Sequence, residues 1–240
     1  MGVGMTPGPI ALVGSGEYLP VMLEIERNLL AGRPPKYVQI PTAAAPEGPN
    51  VLARWTRLGA EQAQRLGVEA FALPVHDRSD ADDPVIAEQV RGAGLVYMSG
   101  GSPSHLAGAL RDSLLWHEVV QAWQQGAALA GCSAGAMAMT AWVPQVRALH
   151  RPADSGLGLL PHLRVIPHFD KMLGWAPDLL TRVLLHAPDG ITVLGIDEDT
   201  ALVGGPQEWE VQGRQSVWTL GHGSRVEHPP GSVIVTPLVG

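Results

Sequence analysis

The stretch Ala127-Ala128-Leu129-Ala130-Gly131-Cys132-Ser133-Ala134-Gly135-Ala136 closes an apolar run of strand length and opens a run rich in helix formers over residues 134–140. A Gly-x-Ser-x-Gly turn between strand and helix holds its middle residue in a strained backbone conformation. Small neighbours avoid clashes, and the side chain is lifted out of the sheet. The helix that follows aims unpaired N–H groups and the positive end of its dipole at the same point, which suits an oxyanion. Ser133 is therefore the candidate nucleophile. These few residues fit equally well an ordinary tight turn whose small side chains serve packing alone.

Outward from this turn, apolar runs of strand length alternate with longer amphipathic stretches. Residues 10–14 precede 19–30, residues 37–41 precede 51–66, and residues 70–75 precede 85–90. Residues 95–98 continue the strands, followed by helix over 106–125 with a break near Asp112-Ser113. The alternation predicts an α/β fold, an open and mostly parallel sheet with helices on both faces. Near-continuous apolar strands are what a sheet covered on both sides requires. Beyond about residue 143 the pattern changes to short strand-like runs at 163–166, 192–196, 201–203, 209–211, 217–220 and 232–235, with one clear helix at 177–186. These predict extra C-terminal β-strands forming a mixed or antiparallel edge. With no repeat or linker in view, residues 1–240 read as a single domain.

The chain has 240 residues, 45% of them hydrophobic, enough to bury a large core. Its net charge of -7 and only 16 scattered Lys and Arg argue against a nucleic-acid partner. No apolar run approaches the roughly 20 residues of a membrane span, and residues 1–9 lack a signal-peptide pattern. A single cysteine permits no intrachain disulfide. A cytoplasmic protein without a membrane partner is the expectation.

A serine hydroxyl is a weak nucleophile until a base takes its proton, so Ser133 needs a histidine and usually a carboxylate that orients it. Of nine histidines, His168 stands apart, because Pro167-His168-Phe169 follows the strand-like Arg164-Val165-Ile166. Catalytic groups of open sheets gather at such strand ends. For the acid, Ile196-Asp197-Glu198-Asp199-Thr200 places three consecutive carboxylates between two apolar strands. A solvated turn accounts for them simply. With Glu198 turned to the opposite side from Asp197 and Asp199, it alone reaches His168 while its neighbours stay in water. Asp170 and Asp154 compete for the same role.

Gly100-Gly101 follows the strand at 95–98, so a backbone N–H there can approach a bound carbonyl oxygen without a Cβ in the way. The Ala134 N–H would be the second oxyanion donor. Gly14-Ser15-Gly16-Glu17 superficially resembles a dinucleotide loop. The third glycine is missing, with Leu19 in its place, and no acid ends the second strand, so nucleotide binding is discounted. No metal-ligand spacing is present, and no cofactor is expected.

Six motifs in order carry a family resemblance: Val13-Gly14-Ser15-Gly16-Glu17, Arg78-x-Asp80-Ala81, Gly100-Gly101, Gly131-Cys132-Ser133-Ala134-Gly135-Ala136, Pro167-His168-Phe169 and Gly195-Ile196-Asp197-Glu198-Asp199-Thr200-Ala201. Together, over about residues 10–213, they resemble the serine peptidases related to peptidase E (aspartyl dipeptidase) and cyanophycinase. The resemblance implies a class I glutamine amidotransferase-like fold with Ser133 as nucleophile, His168 as general base and Glu198 as its orienting acid. It also implies Gly101 and Ala134 as oxyanion donors, short peptides as substrates and a homodimer. Cyanophycinases carry Gly-Gly-Asp-Gln after the strand and several arginines after the His-Phe pair, and peptidase E members carry Gly-Gly-Asn-Thr. Here the first reads Gly100-Gly101-Ser102-Pro103 and the second Asp170-Lys171-Met172-Leu173-Gly174-Trp175. Neither the branched polymer nor a strict preference for an N-terminal aspartate carries over from the resemblance, and a cyanophycinase-like hydrolase stays as an alternative. Ser102 and Pro103 are the candidate substrate-binding residues, with Trp175 as an apolar wall.

Three other classes are compatible with the residues: a Cys132-dependent relative, a catalytically silent binding protein, and an amidase or esterase acting on non-peptide substrates. The elbow presents only its middle position, so Cys132 is expected to face inward. Trp116 and Trp123, seven apart on a helix, suit core packing before they suit a dimer face.

Overall fold

The computed structural model describes residues 6–145, 152–175, 187–221 and 224–238. The helix expected at 177–186 lies outside the described residues. Strand β1 (Ile10–Val13) is followed by α1 (Pro20–Leu30), β2 (Lys36–Ile40) by α2 (Pro49–Leu66), and β3 (Glu69–Ala72) by the short α3 (Arg78–Ala81) and α4 (Pro84–Ala87). Strand β4 (Leu95–Met98) leads into α5 (Pro103–Leu110) and α6 (Leu114–Gln124), and β5 (Ala128–Cys132) into α7 (Ala134–Ala138). Then come β6 (Trp142–Val143), β7 (Asp154–Ser155), β8 (Leu163–Pro167), α8 (Phe169–Trp175), β9 (Thr192–Ile196) and β10 (Thr200–Gly204). Strands β11 (Glu208–Gly213), β12 (Val217–Gly221), β13 (Ser224–His228) and β14 (Val233–Val235) complete the described chain.

The break inside the expected helix at 106–125 falls where Asp112 takes φ 60° and Ser113 Oγ accepts the Trp116 N–H to cap α6. The main sheet has the order β14-β11-β10-β1-β5-β4-β2-β3. Strands β1, β5, β4, β2 and β3 run parallel, and β10, β11 and β14 extend the sheet antiparallel beyond β1. Helices cover both faces. Met22, Ile25 and Leu29 of α1 pack with Ala11, Val13, Tyr97 and Ala130 on one side. On the other, Leu106, Leu110, Leu115, Trp116 and Val119 of α5 and α6 pack with Leu12, Val38, Val96 and Leu129. Trp116 is thus core, and Trp123 is half-buried with its indole N–H donating to Gly8 O.

The C-terminal strands do not all join one edge. Strands β8, β9, β12 and β13 form a separate sheet in the order β13-β12-β9-β8. Their residue pattern accounts for the separation, because β8 and β9 are apolar on both faces and need cover twice. Val165, Leu194 and Ile196 face the core shared with the main sheet, while Ile166 and Val193 pack with Phe169 and Met172 of α8. Strands β9 and β10 are consecutive yet lie in different sheets, so the chain at Asp197, Glu198 and Asp199 crosses from one to the other.

Glu26 on α1 is only 1% exposed. Burial raises its carboxyl from a reference 4.5 to about 8; Gln62 and Tyr37 beside it draw it back a little, without hydrogen bonds of good geometry. Between those two values the unfolded chain has released a proton that the folded chain keeps, so stability falls as pH rises from 4.5 to 8. Glu26→Gln is expected to flatten this slope, leaving stability at pH 5 near wild type and raising it at pH 8.5 by up to roughly 4 kcal/mol. Urea unfolding followed by circular dichroism at the two pH values checks this.

Candidate active site

The parallel strands β1, β2, β4 and β5 end on the same side, and the loops that leave them build the floor of the site. Ser133 sits between β5 and α7 at φ 48°, ψ -101°, outside the basins that non-glycine residues favour. Its N–H donates to Val13 O at 2.9 Å, and its carbonyl accepts the Met137 N–H at 3.1 Å, so both neighbouring elements hold the turn. The flanking glycines are steric requirements. A Cβ on Gly131 would lie 2.5 Å from Gly135 C, and one on Gly135 would lie 2.4 Å from Met98 O. The helix after Ser133 is α7, Ala134–Ala138, shorter than the expected 134–140. Little macrodipole accumulates over one turn, so what it offers is its leading N–H groups.

Gly101 follows β4 at φ 138°, where a Cβ would strike Ala43 O at 2.4 Å. The adjacent Ser102 N–H donates to Ala43 O at 2.7 Å, which docks this loop on the turn after β2. Ser102 Oγ accepts the His105 N–H to cap α5, and Pro103 occupies the first turn. Both residues line the cavity in front of Ser133.

His168 and Glu198 come from the second sheet. His168, at φ 51°, stands at the end of β8, with Phe169 buried against Trp218 of β12 at 5.9 Å between ring centres. Glu198 follows the end of β9, the parallel neighbour of β8. His168 Nε2 lies 3.1 Å from Ser133 Oγ, and His168 Nδ1 lies 3.0 Å from Glu198 Oε1. Serine, imidazole and carboxylate therefore stand in one hydrogen-bonded line.

The other acids have different tasks. Asp170 Oδ1 accepts the Glu198 N–H at 3.0 Å, and Gln215 Nε2 donates to Glu198 O at 2.9 Å, so the Glu198 backbone is held from two sides. Asp154 instead accepts from Gln145 Nε2. The expectation that both neighbours of Glu198 stay in water is met in part by Asp199, which is half-buried and faces Arg214 at 3.5 Å, and fails for Asp197. Asp197 is buried, and its Oδ2 accepts from the Trp218 indole and the Ser216 N–H. Burial pushes its carboxyl up from the usual range, against these hydrogen bonds.

A cavity of about 690 Å³ opens over Ser133. Beside the residues already named it is lined by Pro46, Glu47, Met137, Gln145, Val165 and Met172. Lys171 reaches the same space, 4.0 Å from Glu198 Oε2 and 3.9 Å from Asp170 Oδ2. The sequence motifs miss Glu47 because it lies far away along the chain, and miss Met137 and Gln145, which are close to Ser133 in sequence, because neither residue type carries a signal of its own. The side chain of Trp175 lies outside the described residues. Among the described residues no cluster of His, Cys, Asp or Glu is arranged to hold a metal ion, and no helix is long and apolar enough to cross a membrane.

Known proteins agree with this architecture. A family model described as peptidase family S51 matches residues 10–210. The chain therefore belongs to peptidase family S51, and it is a serine hydrolase of the peptidase type. The cyanophycinase of Trichormus variabilis is 29% identical over 226 residues, covering 88% of this chain and 73% of that one. The crystal structure of a peptidase from an acI-B1 Actinobacterium is 42% identical, covers 97% of this chain and 98% of that one, and superposes with a TM-score of 0.89. A protein provisionally named peptidase E from Listeria monocytogenes EGD-e shares the fold at a TM-score of 0.58 and 15% identity, over 93% of this chain and 99% of that one.

Cys132 is fully buried, and its thiol donates to Glu17 Oε2 at 2.8 Å. Burial first, and the Glu17 charge second, push its pKa well above the usual value. It should therefore be inert in the folded protein. Labelling with a thiol-reactive disulfide reagent is expected to be slower by more than about 100-fold in buffer than in 6 M guanidinium, as measured by absorbance.

Proposed function

We propose that the chain hydrolyses peptide bonds of short peptides through an acyl-enzyme on Ser133. The line Ser133 Oγ, His168 Nε2 at 3.1 Å and Glu198 Oε1 at 3.0 Å from Nδ1 carries this reading. With its proton on Nδ1 donated to Glu198, His168 has a free lone pair on Nε2 facing the serine hydroxyl. His168 takes the Ser133 proton as Oγ attacks the scissile carbonyl, and the tetrahedral oxyanion accepts the N–H groups of Gly101 and Ala134. His168 then gives the proton to the leaving amine, and the C–N bond breaks. Water adds to the acyl-enzyme with His168 as base again, and the carboxylic acid product leaves as Ser133 recovers its proton.

The strained backbone of Ser133 supports its reading as a nucleophile elbow, because it exposes Oγ at the strand end. A cavity of about 690 Å³ suits a peptide of two or three residues, with Ser102 and Pro103 on the wall that the substrate meets. The same reading, with the family resemblance, extends to a cytoplasmic homodimer, for which light scattering is the direct measurement.

The test is a mass-spectrometric screen of wild type and Ser133→Ala against a mixed library of short peptides, including blocked termini and peptides that begin with Asp. Wild type is expected to cleave a subset. Ser133→Ala and His168→Ala should each lose on the order of 10^4-fold or more in rate, since the residues act as a unit. Glu198→Gln should lose about 10^3-fold, because the neutral amide no longer stabilises the imidazolium and its NH2 can turn to Nδ1 and favour the wrong tautomer. Equal cleavage by wild type and Ser133→Ala would overturn the reading.

A further inference from the structure

The loop Gly14-Ser15-Gly16-Glu17, which on sequence imitates a dinucleotide loop, has no part in the chemistry above. Its last residue nevertheless packs behind the serine turn. Glu17 Oε1 accepts the Gly100 N–H at 3.0 Å, and Glu17 Oε2 accepts the Cys132 thiol at 2.8 Å. A Cβ built on Gly100 would lie 2.7 Å from Glu17 Oε1 and 3.7 Å from Ser133 Cβ. The carboxylate is therefore lodged directly behind the serine turn, bridging the residue before Gly101 and the residue before Ser133.

The sheet explains why such a bridge is needed. The last paired residues of these strands are Met98 with Gly131 and Val13 with Cys132. Past them, among the described residues, no ladder bond joins Gly100 to the serine turn. The β4 loop is anchored on the turn after β2 through Ser102 N–H and Ala43 O, and Glu17 adds a hydrogen-bonded link from it to the serine turn. A carboxylate accepting a backbone N–H makes a short, strong hydrogen bond, stiffer than a neutral one.

We propose that Glu17 is a positioning residue for the hydrolytic reaction. It sets the separation of the Gly101 and Ala134 N–H groups by clamping Gly100 and Cys132 to one carboxylate. This rests on the reading of those two groups as the oxyanion donors. Oxyanion donors act only within a few tenths of an ångström of the correct place, and one lost donor costs about 10^2-fold to 10^3-fold in rate. A donor that is loosened rather than removed should cost less.

The probe is a peptidyl diphenylphosphonate, whose phosphoryl oxygen takes up charge as serine attacks and phenoxide leaves. The maximal labelling rate and the half-saturating concentration are measured for the full chain, with thermal melting as a check of folding. Glu17→Ala is expected to lower the maximal rate about 30-fold with half-saturation changed less than about threefold, since the transition state rather than initial binding is affected. Glu17→Gln, whose amide oxygen can still accept the Gly100 N–H, should recover the rate to within about threefold of wild type. Glu17→Asp, which retracts the charge by one methylene, should lie between them; should Glu17→Ala fail to fold, its loss of about tenfold carries the comparison. A folded Glu17→Ala or Glu17→Asp with the wild-type rate overturns the proposal, as does an equal loss in Glu17→Gln. Labelling of Ser133→Ala at the wild-type rate overturns the reading of the site itself, a result separate from any Glu17 outcome.

Discussion

The structure turns on the backbone of one residue. Ser133 is held at φ 48° and ψ -101°, a conformation that costs on the order of 1–3 kcal/mol. It persists in a turn packed so closely that Gly131 of β5 has no room for a methyl group against α7, nor Gly135 of α7 against Met98 of β4. Strand β1 reinforces the turn through the bond from Ser133 N–H to Val13 O. The strain aims Oγ out of the sheet edge, toward space that the other loops enclose.

The partners of Ser133 arrive from a different layer. His168 and Glu198 follow adjacent parallel strands, β8 and β9, in register at Pro167 and Ile196. Their mutual distance is thus set within one sheet, by ladder hydrogen bonds and by the packing of Phe169 on Trp218. Asp170 and Gln215 hold the Glu198 backbone, so the carboxylate is aimed by contacts that never touch the imidazole. The crossing of the chain at residues 197–199 lets one acid be buried on indole and amide donors, one meet histidine and one reach solvent and Arg214.

Much of this was legible in the residues. The alternation of apolar runs and amphipathic stretches predicted the parallel half with helix boundaries close to those found, including the break at Asp112. Steric and hydrogen-bonding demands in that half are local, and local demands leave a mark on composition. The second sheet was not legible, because a short apolar run says nothing about which edge or layer it joins. Strand β13 was missed because its residues are largely exposed and carry no apolar period. Asp197 was expected in water because three adjacent acids give no sign of the Trp218 indole that shelters one of them. Glu17 appears in the sequence as part of a failed nucleotide loop and of a family motif, and neither shows its task, since its partners Gly100 and Cys132 lie 83 and 115 residues away.

The division of the site between layers has a mechanical side. The histidine–carboxylate distance belongs to one rigid ladder, whereas the serine–histidine distance spans the seam between two. Sliding one layer past the other by the radius of a carbon atom would take Ser133 out of reach of His168 without breaking a single strand pairing. On the proposed mechanism, turnover would then gauge interlayer registry, which strand pairing alone does not report.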